Sequence, residues 1–149
     1  MIEERLSELG IELPPVPAPV ASYVPVRHAQ GVAFVSGQIP DGAKLHPGHL
    51  GADVTIEQGQ EAARRCALQA LSALQDALGS LDRVAEIVKV TVFVASTPGF
   101  TDQPKVANGA SDLFVEVFGE HGKHAREAVG VAELPLGACV EVSVTALTD

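Results

Sequence analysis

A chain of 149 residues, 46% of them hydrophobic, suits one domain able to bury its own core and excludes a disordered polymer. With Phe 5, Tyr 1 and Trp 0, that core must be built from Ala, Val and Leu, whose small side chains favour close packing of helices on a sheet. The formal net charge of −9 opposes any partner held through phosphates, so nucleic-acid binding is not expected.

Ile2, Leu6 and Leu9 recur at helical spacing and predict a short amphipathic helix stopped by Gly10. Glu3, Glu4 and Glu8 stand where a secretory signal would carry basic residues, and no apolar stretch is long enough to span a membrane. The expected location is therefore cytoplasmic. Pro14, Pro15, Pro17 and Pro19 make the next segment an extended connector, read as a stiff spacer, with partner recognition as the alternative. Residues 1–19 are thus expected to be an N-terminal extension lying on a domain of residues 20–149.

Two strands follow, near Tyr23–His28 and Val32–Ile39, joined by a turn at Gln30-Gly31. The loop from Pro40 to Asp53 lacks the Gly-Lys-Ser/Thr of a phosphate-binding loop. His46 and His49 have no third ligand in the pattern, so they are read as solvated loop histidines and no metal is expected. Thr55 and Gln58 form a capping box, opening a helix that runs to Leu78 before Gly79. Its apolar stripe is Ile56, Ala63, Ala67, Ala70, Leu71, Leu74 and Leu78, while Arg64 and Arg65 lie on the solvated flank. Cys66 and Cys139 are far apart in sequence and are read as ordinary thiols.

Glu86 to Ala95 is dense in β-branched residues and should be a central strand. A second helix spans Asp102 to Phe118, burying Val106, Ala110, Leu113, Phe114 and Val117, with Asn108 and Gly109 lowering its propensity. The C-terminal stretch reads as two strands joined by a short turn at Pro135 and Gly137. In the second of them Cys139, Glu141, Ser143 and Thr145 alternate with Val140, Val142, Val144 and Ala146. A period of two puts Glu141 on the face opposite the valines. The order ββαβαββ predicts an α+β sandwich, a mixed sheet with both helices on one face.

Arg126, followed by small and apolar residues, Leu134-Pro135, a turn and Val140-Glu141-Val142, resembles the C-terminal signature of the RidA/YjgF family of enamine/imine deaminases. Tyr23 ahead of Val35-Ser36-Gly37-Gln38-Ile39-Pro40, and Val88 to Val94 ahead of a helix holding Asn108, fit the same order. The resemblance covers about residues 20 to 147. It implies a homotrimer with sites between subunits, and hydrolysis of small 2-imino acids to keto acids and ammonia with no cofactor. Arg126 then binds the substrate carboxylate and Glu141 places or deprotonates the water, while Tyr23, Ser36, Gly37 and Asn108 line the ligand. Many members carry a cysteine two residues after the arginine; here Ala128 stands there, and Glu127 is expected to face away from the site. A non-catalytic ligand-binding protein on the same scaffold is the alternative, and the endoribonuclease and translation-inhibitor labels of the family fit the charge poorly.

Overall fold

The computed structural model describes residues 1–16 and 22–149. Helix α1 (Ile2–Glu8) precedes strands β1 (Val26–Ala29) and β2 (Val32–Gln38), and helix α2 (Ile56–Leu78) leads to β3 (Val84–Ala95). Helix α3 (Gln103–Phe118), β4 (Ala125–Val131) and β5 (Val140–Thr148) complete the chain. The strands form one sheet in the order β1-β2-β5-β3-β4, with β3 and β4 parallel and every other pair antiparallel. This is the mixed ββαβαββ arrangement expected from the sequence, with α1 added in front.

Register explains why the alternating residues work. Val90 and Val92 of β3 lie beside Val144 and Val142 of β5, and Val35 of β2 pairs with Val144 from the other side. Paired residues share a face, so these valines form one continuous buried surface. On it lie α2, through Ala63, Cys66, Ala67, Ala70, Leu71 and Leu74, and α3, through Val106, Ala110, Leu113, Phe114 and Val117. The capping box opens α2 as predicted: Gln58 N donates to Thr55 Oγ1 at 3.1 Å and Thr55 N to Gln58 Oε1 at 3.0 Å. Burial pushes the Cys139 thiol up to about 11, so this core cysteine is inert at neutral pH.

Three expectations need correction. First, β4 and β5 are not a hairpin, because β3 lies between them, parallel to β4 and antiparallel to β5. The crossover through α3 brings β4 to one side of β3, and the connection 132–139 carries the chain across to the other. β3 is therefore interior, but the middle strand is β5. Second, Tyr23 and Val24 precede β1 rather than belonging to it, and both are exposed. Third, His46 and His49 are not simply solvated: His46 Nε2 meets Glu61 Oε2 at 2.9 Å, and His49 Nε2 donates to Ala132 O at 2.9 Å and Glu133 Oε2 at 3.1 Å. The flank of α2 is also tied down, Arg65 Nε donating to Asp41 Oδ1 at 2.7 Å.

The start of the chain is fastened to the helix layer. Leu6 enters the core, and the Glu3 carboxylate accepts from Leu81 N at 3.0 Å and from Ser80 Oγ at 3.3 Å. Ser72 Oγ donates to Pro14 O at 2.6 Å. The remainder of the proline connector, Pro17 and Pro19, lies outside the described residues.

Among the described residues no helix lies on the sheet's other face. Phe34, Val129 and Leu147 stand on it with 52%, 41% and 39% of their surface exposed, among Lys89, Thr91, Ser143 and Thr145.

Close approach of α2 to α3 accounts for Gly109. A Cβ there would overlap the Gln60 carbonyl oxygen and sit 2.7 Å from its carbon. Gly109→Ala should therefore lower the melting temperature, although alanine favours a helix by roughly 1 kcal/mol, because overpacking costs about 1–3 kcal/mol. Thermal unfolding of the variant checks this, and a rise in melting temperature would contradict the packing argument.

Candidate functional site

Glu141 sits on the open face of β5, opposite an irregularity in β2. Val35 pairs with Val144 and Gln38 with Val142, so both Ser36 and Gly37 stand where β5 offers only Ser143. Such a bulge bends its strand and brings backbone close to the neighbouring side chain. The Glu141 carboxylate fills the space at Gly37, where a Cβ would overlap Oε2 and lie 2.9 Å from the carboxyl carbon. Among the described residues no hydrogen bond or ion pair reaches the Glu141 carboxylate, and partial burial raises its pKa above the ordinary value near 4.5. It is an underpaired carboxylate held against bare backbone.

Ser36 secures the approach to this point. Its hydroxyl donates to Val24 O at 2.6 Å and its N–H to Pro25 O at 2.8 Å. The Ser36 N–H is thus engaged within the chain. These bonds fix the segment carrying Tyr23 beside the bulge.

Arg126 lies elsewhere. It pairs with Val90, so it faces the helix side of the sheet at the edge strand, whereas Glu141 pairs with Phe93 on the open side. From a rise of ~3.3 Å per residue and a strand spacing of ~4.8 Å, their Cα atoms are separated by roughly 14 Å, with the sheet between the side chains. One chain cannot bring them together. Asn108 does join Arg126: its Oδ1 accepts from Arg126 Nη1 at 2.8 Å. The site residues inferred from sequence thus divide into two groups: Glu141 on the open side, with Gly37 and Ser36 beside it and the Tyr23 segment bonded to Ser36, and Asn108 with Arg126 on the helix side.

Behind Arg126 stand one further partner, Ser111, and through it His124, neither of which has a role in the sequence reading. Ser111 Oγ accepts from Nη1 at 3.2 Å, and His124 Nε2 meets the same hydroxyl at 2.9 Å. Ser111 is three residues after Asn108 on α3, a spacing that puts both on one helix face and could have flagged it. Since a guanidinium only donates, the Asn108 oxygen must face it, which turns the Asn108 N–H groups outward. Both Nη1 hydrogens are committed, leaving Nε–H and the Nη2 hydrogens with no partner among the described residues. These donors with the Asn108 amide make a receptor for an anion.

Glu127 does not neutralise this receptor. It lies on the opposite face, where Lys89 Nζ meets Oε1 at 2.7 Å and Thr91 Oγ1 donates to Oε2 at 3.2 Å. The hydrogen-bonded Lys89 ammonium holds its carboxyl below the usual range. Ala128 follows on the helix side and packs against the core.

A cleft of about 640 Å³ opens at the far end of β4, lined among others by His49, Ser96, Phe100, Gln103 and Glu133. Neither Arg126 nor Glu141 contributes to it, and its polar groups bond to one another: Gln103 Nε2 donates to Phe100 O at 2.8 Å and His49 to Glu133. It is therefore not the site that these two residues define. Among the described residues no three His, Cys, Asp or Glu side chains converge as metal ligands, and no helix is long and apolar enough to cross a membrane.

Comparison with known proteins extends these observations. Residues 3–147 match the family model described as "YjgF/chorismate mutase-like, putative endoribonuclease". Protein TCP17 of Trypanosoma cruzi is 54% identical over 144 residues, 95% of this chain and 90% of that protein. A 2-iminobutanoate/2-iminopropanoate deaminase of Dermatophagoides farinae is 27% identical over 132 residues, 89% of this chain and 90% of the enzyme. Among solved structures, one described as a "putative endoribonuclease" of Shewanella oneidensis superposes with a TM-score of 0.93 at 35% identity, covering 99% of each chain. E. coli TdcF with bound serine gives a TM-score of 0.60 at 27% identity, over 90% of this chain and 94% of that one. With the family model spanning nearly the whole length and the same mixed sheet beneath two helices, the chain belongs to the YjgF/RidA family.

Proposed function

We propose that this protein hydrolyses small 2-imino acids, the tautomers of enamines such as 2-aminoacrylate, to 2-keto acids and ammonia, in sites assembled between copies of the chain. The observation that carries the proposal is the division of the site. Arg126 and Asn108 form a donor-only receptor on one face, while Glu141 on the other is a partly desolvated carboxylate with no partner among the described residues. A second copy supplying its Glu141 beside Arg126 makes a complete site. The half-exposed Phe34, Val129 and Leu147 give that copy an apolar surface to cover, and a homotrimer meets the geometry with three equivalent sites.

The guanidinium binds the substrate carboxylate bidentately and leaves the adjacent imine carbon facing Glu141. Glu141 takes a proton from water as the oxygen adds to that carbon, and the C=N electrons go to nitrogen, which is protonated. The resulting carbinolamine loses ammonia when its hydroxyl proton is removed and C=O forms. Protons returned through Glu141 leave the enzyme unchanged. The imine is already electrophilic, so placing the water and relaying protons account for the catalysis. The relatives bearing the deaminase name and the bound serine support a small amino-acid-derived carboxylate as ligand. A cytoplasmic setting fits this role. The endoribonuclease wording fits less well, since a net charge of −9 repels a phosphate backbone.

Sedimentation at micromolar concentration should give about three times 15.5 kDa; a fully active monomer would remove the intersubunit site. Arg126→Lys should lose nearly as much kcat/KM as Arg126→Ala, tenfold or more, because each charge-assisted hydrogen bond contributes roughly 1.5–3 kcal/mol and an ammonium lacks the fork. Glu141→Gln should still bind pyruvate but turn over imines ~10² to 10⁴ times more slowly. In the parent, activity should fall as pH drops through the raised Glu141 pKa, since the base works only when ionised, and this limb should vanish in Glu141→Gln. If Glu141→Gln deaminates at the parent rate, the protein is a ligand-binding member of the family and not a hydrolase.

A further inference from the structure

The arginine at the receptor is held by a hydrogen-bonded chain whose direction is fixed at every link. His124 Nδ1 lies 2.6 Å from the Gly122 carbonyl oxygen, which can only accept, so this nitrogen carries the proton. In the neutral ring Nε2 is then an acceptor, and the group it meets at 2.9 Å is the Ser111 hydroxyl. That hydroxyl has one hydrogen, and His124 takes it. Its lone pairs are left facing Arg126 Nη1 at 3.2 Å.

Two further contacts keep the ring in place and neutral. Phe114 meets it edge to face, with centroids 5.8 Å apart and planes at 85°. Burial holds the imidazole pKa below its ordinary value despite the Gly122 carbonyl, and the charged group that acts on it, Arg126, lowers it further. Around the ring are the α3 residues Ser111 and Phe114, the Gly122 carbonyl before it and Arg126 after it. His121, its near neighbour in sequence, turns instead towards Glu86 at 3.5 Å.

The chain decides which edge of the guanidinium is presented. Nη1 carries two hydrogens; Ser111 takes one and Asn108 the other. The end-on fork between Nη1 and Nη2 is thereby spoiled. What remains is the side-on fork of Nε–H and Nη2–H, two parallel donors matched to a carboxylate.

We propose that His124 is a positioning residue for Arg126: acting through Ser111, it fixes that hydroxyl as an acceptor and so commits the arginine to binding a carboxylate by its Nε–Nη2 edge. This rests on the carboxylate-receptor reading of Arg126. Neither His124 nor Ser111 touches the ligand. Their contribution is to remove rotational freedom from the guanidinium before the ligand arrives, which improves affinity without any new contact.

The test is titration of the intact protein with pyruvate, followed by heteronuclear NMR with ¹⁵N-labelled arginine, alongside imine turnover. Ser111→Ala and His124→Phe should each weaken pyruvate binding about tenfold, the equivalent of one charge-assisted bond. The loss should appear in KM, with kcat little changed, because the interaction is the same in ground and transition states. The double variant should be no worse than either single one, since both cut the same chain. His124→Gln, whose side-chain oxygen can still accept from Ser111, should restore affinity to within about twofold of the parent, a rescue that a merely structural role for the ring would not give. The Arg126 Nε–H resonance should shift on adding pyruvate to the parent and to His124→Gln. Parent-like affinity in both Ser111→Ala and His124→Phe, or losses that multiply in the double variant, would overturn the proposal while leaving the receptor intact. Arg126→Ala separates the two levels: if it binds pyruvate as the parent does, the receptor reading fails and this inference with it. Should His124→Phe fail to fold, Ser111→Ala and His124→Gln decide the matter alone.

Discussion

The pairing of β3 on both edges is the constraint on which the molecule depends. A twelve-residue strand rich in β-branched residues takes β4 in parallel on one side and β5 antiparallel on the other. Its register transmits one alternation to both neighbours, so every residue on β4 and β5 is assigned a face by its partner on β3. Val90 puts Arg126 beneath the helices, and Phe93 puts Glu141 on the bare side. Had β4 and β5 formed the hairpin that their short connection suggests, their side chains would have been paired directly with each other. The separation of the two charges follows from where β3 lies.

The helix layer obeys a different rule, closeness of approach. Alanine fills much of the α2 face, and Gly109 lets α3 meet the α2 backbone directly. Such an interface forfeits the large area that aromatic side chains would bury and gains dense packing between backbones. It also makes α3 a rigid platform. Asn108, Ser111 and Phe114 all project from it towards the start of β4, so the positions of Arg126 and His124 are referred to the core through one helix. The N-terminal segment fastens the same layer from behind, through Leu6 and the bonds of Glu3.

Much of this was legible in the chain itself. The capping box at Thr55, the stripe from Ala63 to Leu78 and the alternation after Cys139 are local patterns, and local patterns report local structure. Strand order is not local. Nothing in residues 125–148 says that a third strand will come between the two halves, because that depends on the crossover through α3 and on the two open edges of β3. The site divides along the same line. Arg126, Glu141 and Asn108 could be picked out by resemblance and by the oddness of a charge in a strand, and Ser36 and Gly37 by their motif. Ser111 goes unmarked in the sequence, and His124 stands out there only as a departure from the family's pattern, because a serine on a helix and a histidine before a strand have no evident task until the fold sets them 2.9 Å apart. The bond from the Ser36 N–H to Pro25 is likewise a product of the fold and has no local signal.

Placing the two charges on opposite sides of one sheet has a genetic consequence. If each working site draws Arg126 from one subunit and Glu141 from its neighbour, a chain crippled at one position still carries a sound copy of the other half. Two alleles, each inactive when expressed alone, then complement within a mixed assembly, since some subunit boundaries unite the intact arginine of one chain with the intact glutamate of the next. In such an assembly a doubly altered chain would act dominantly over the wild type, because every ring it entered would lose more than one site.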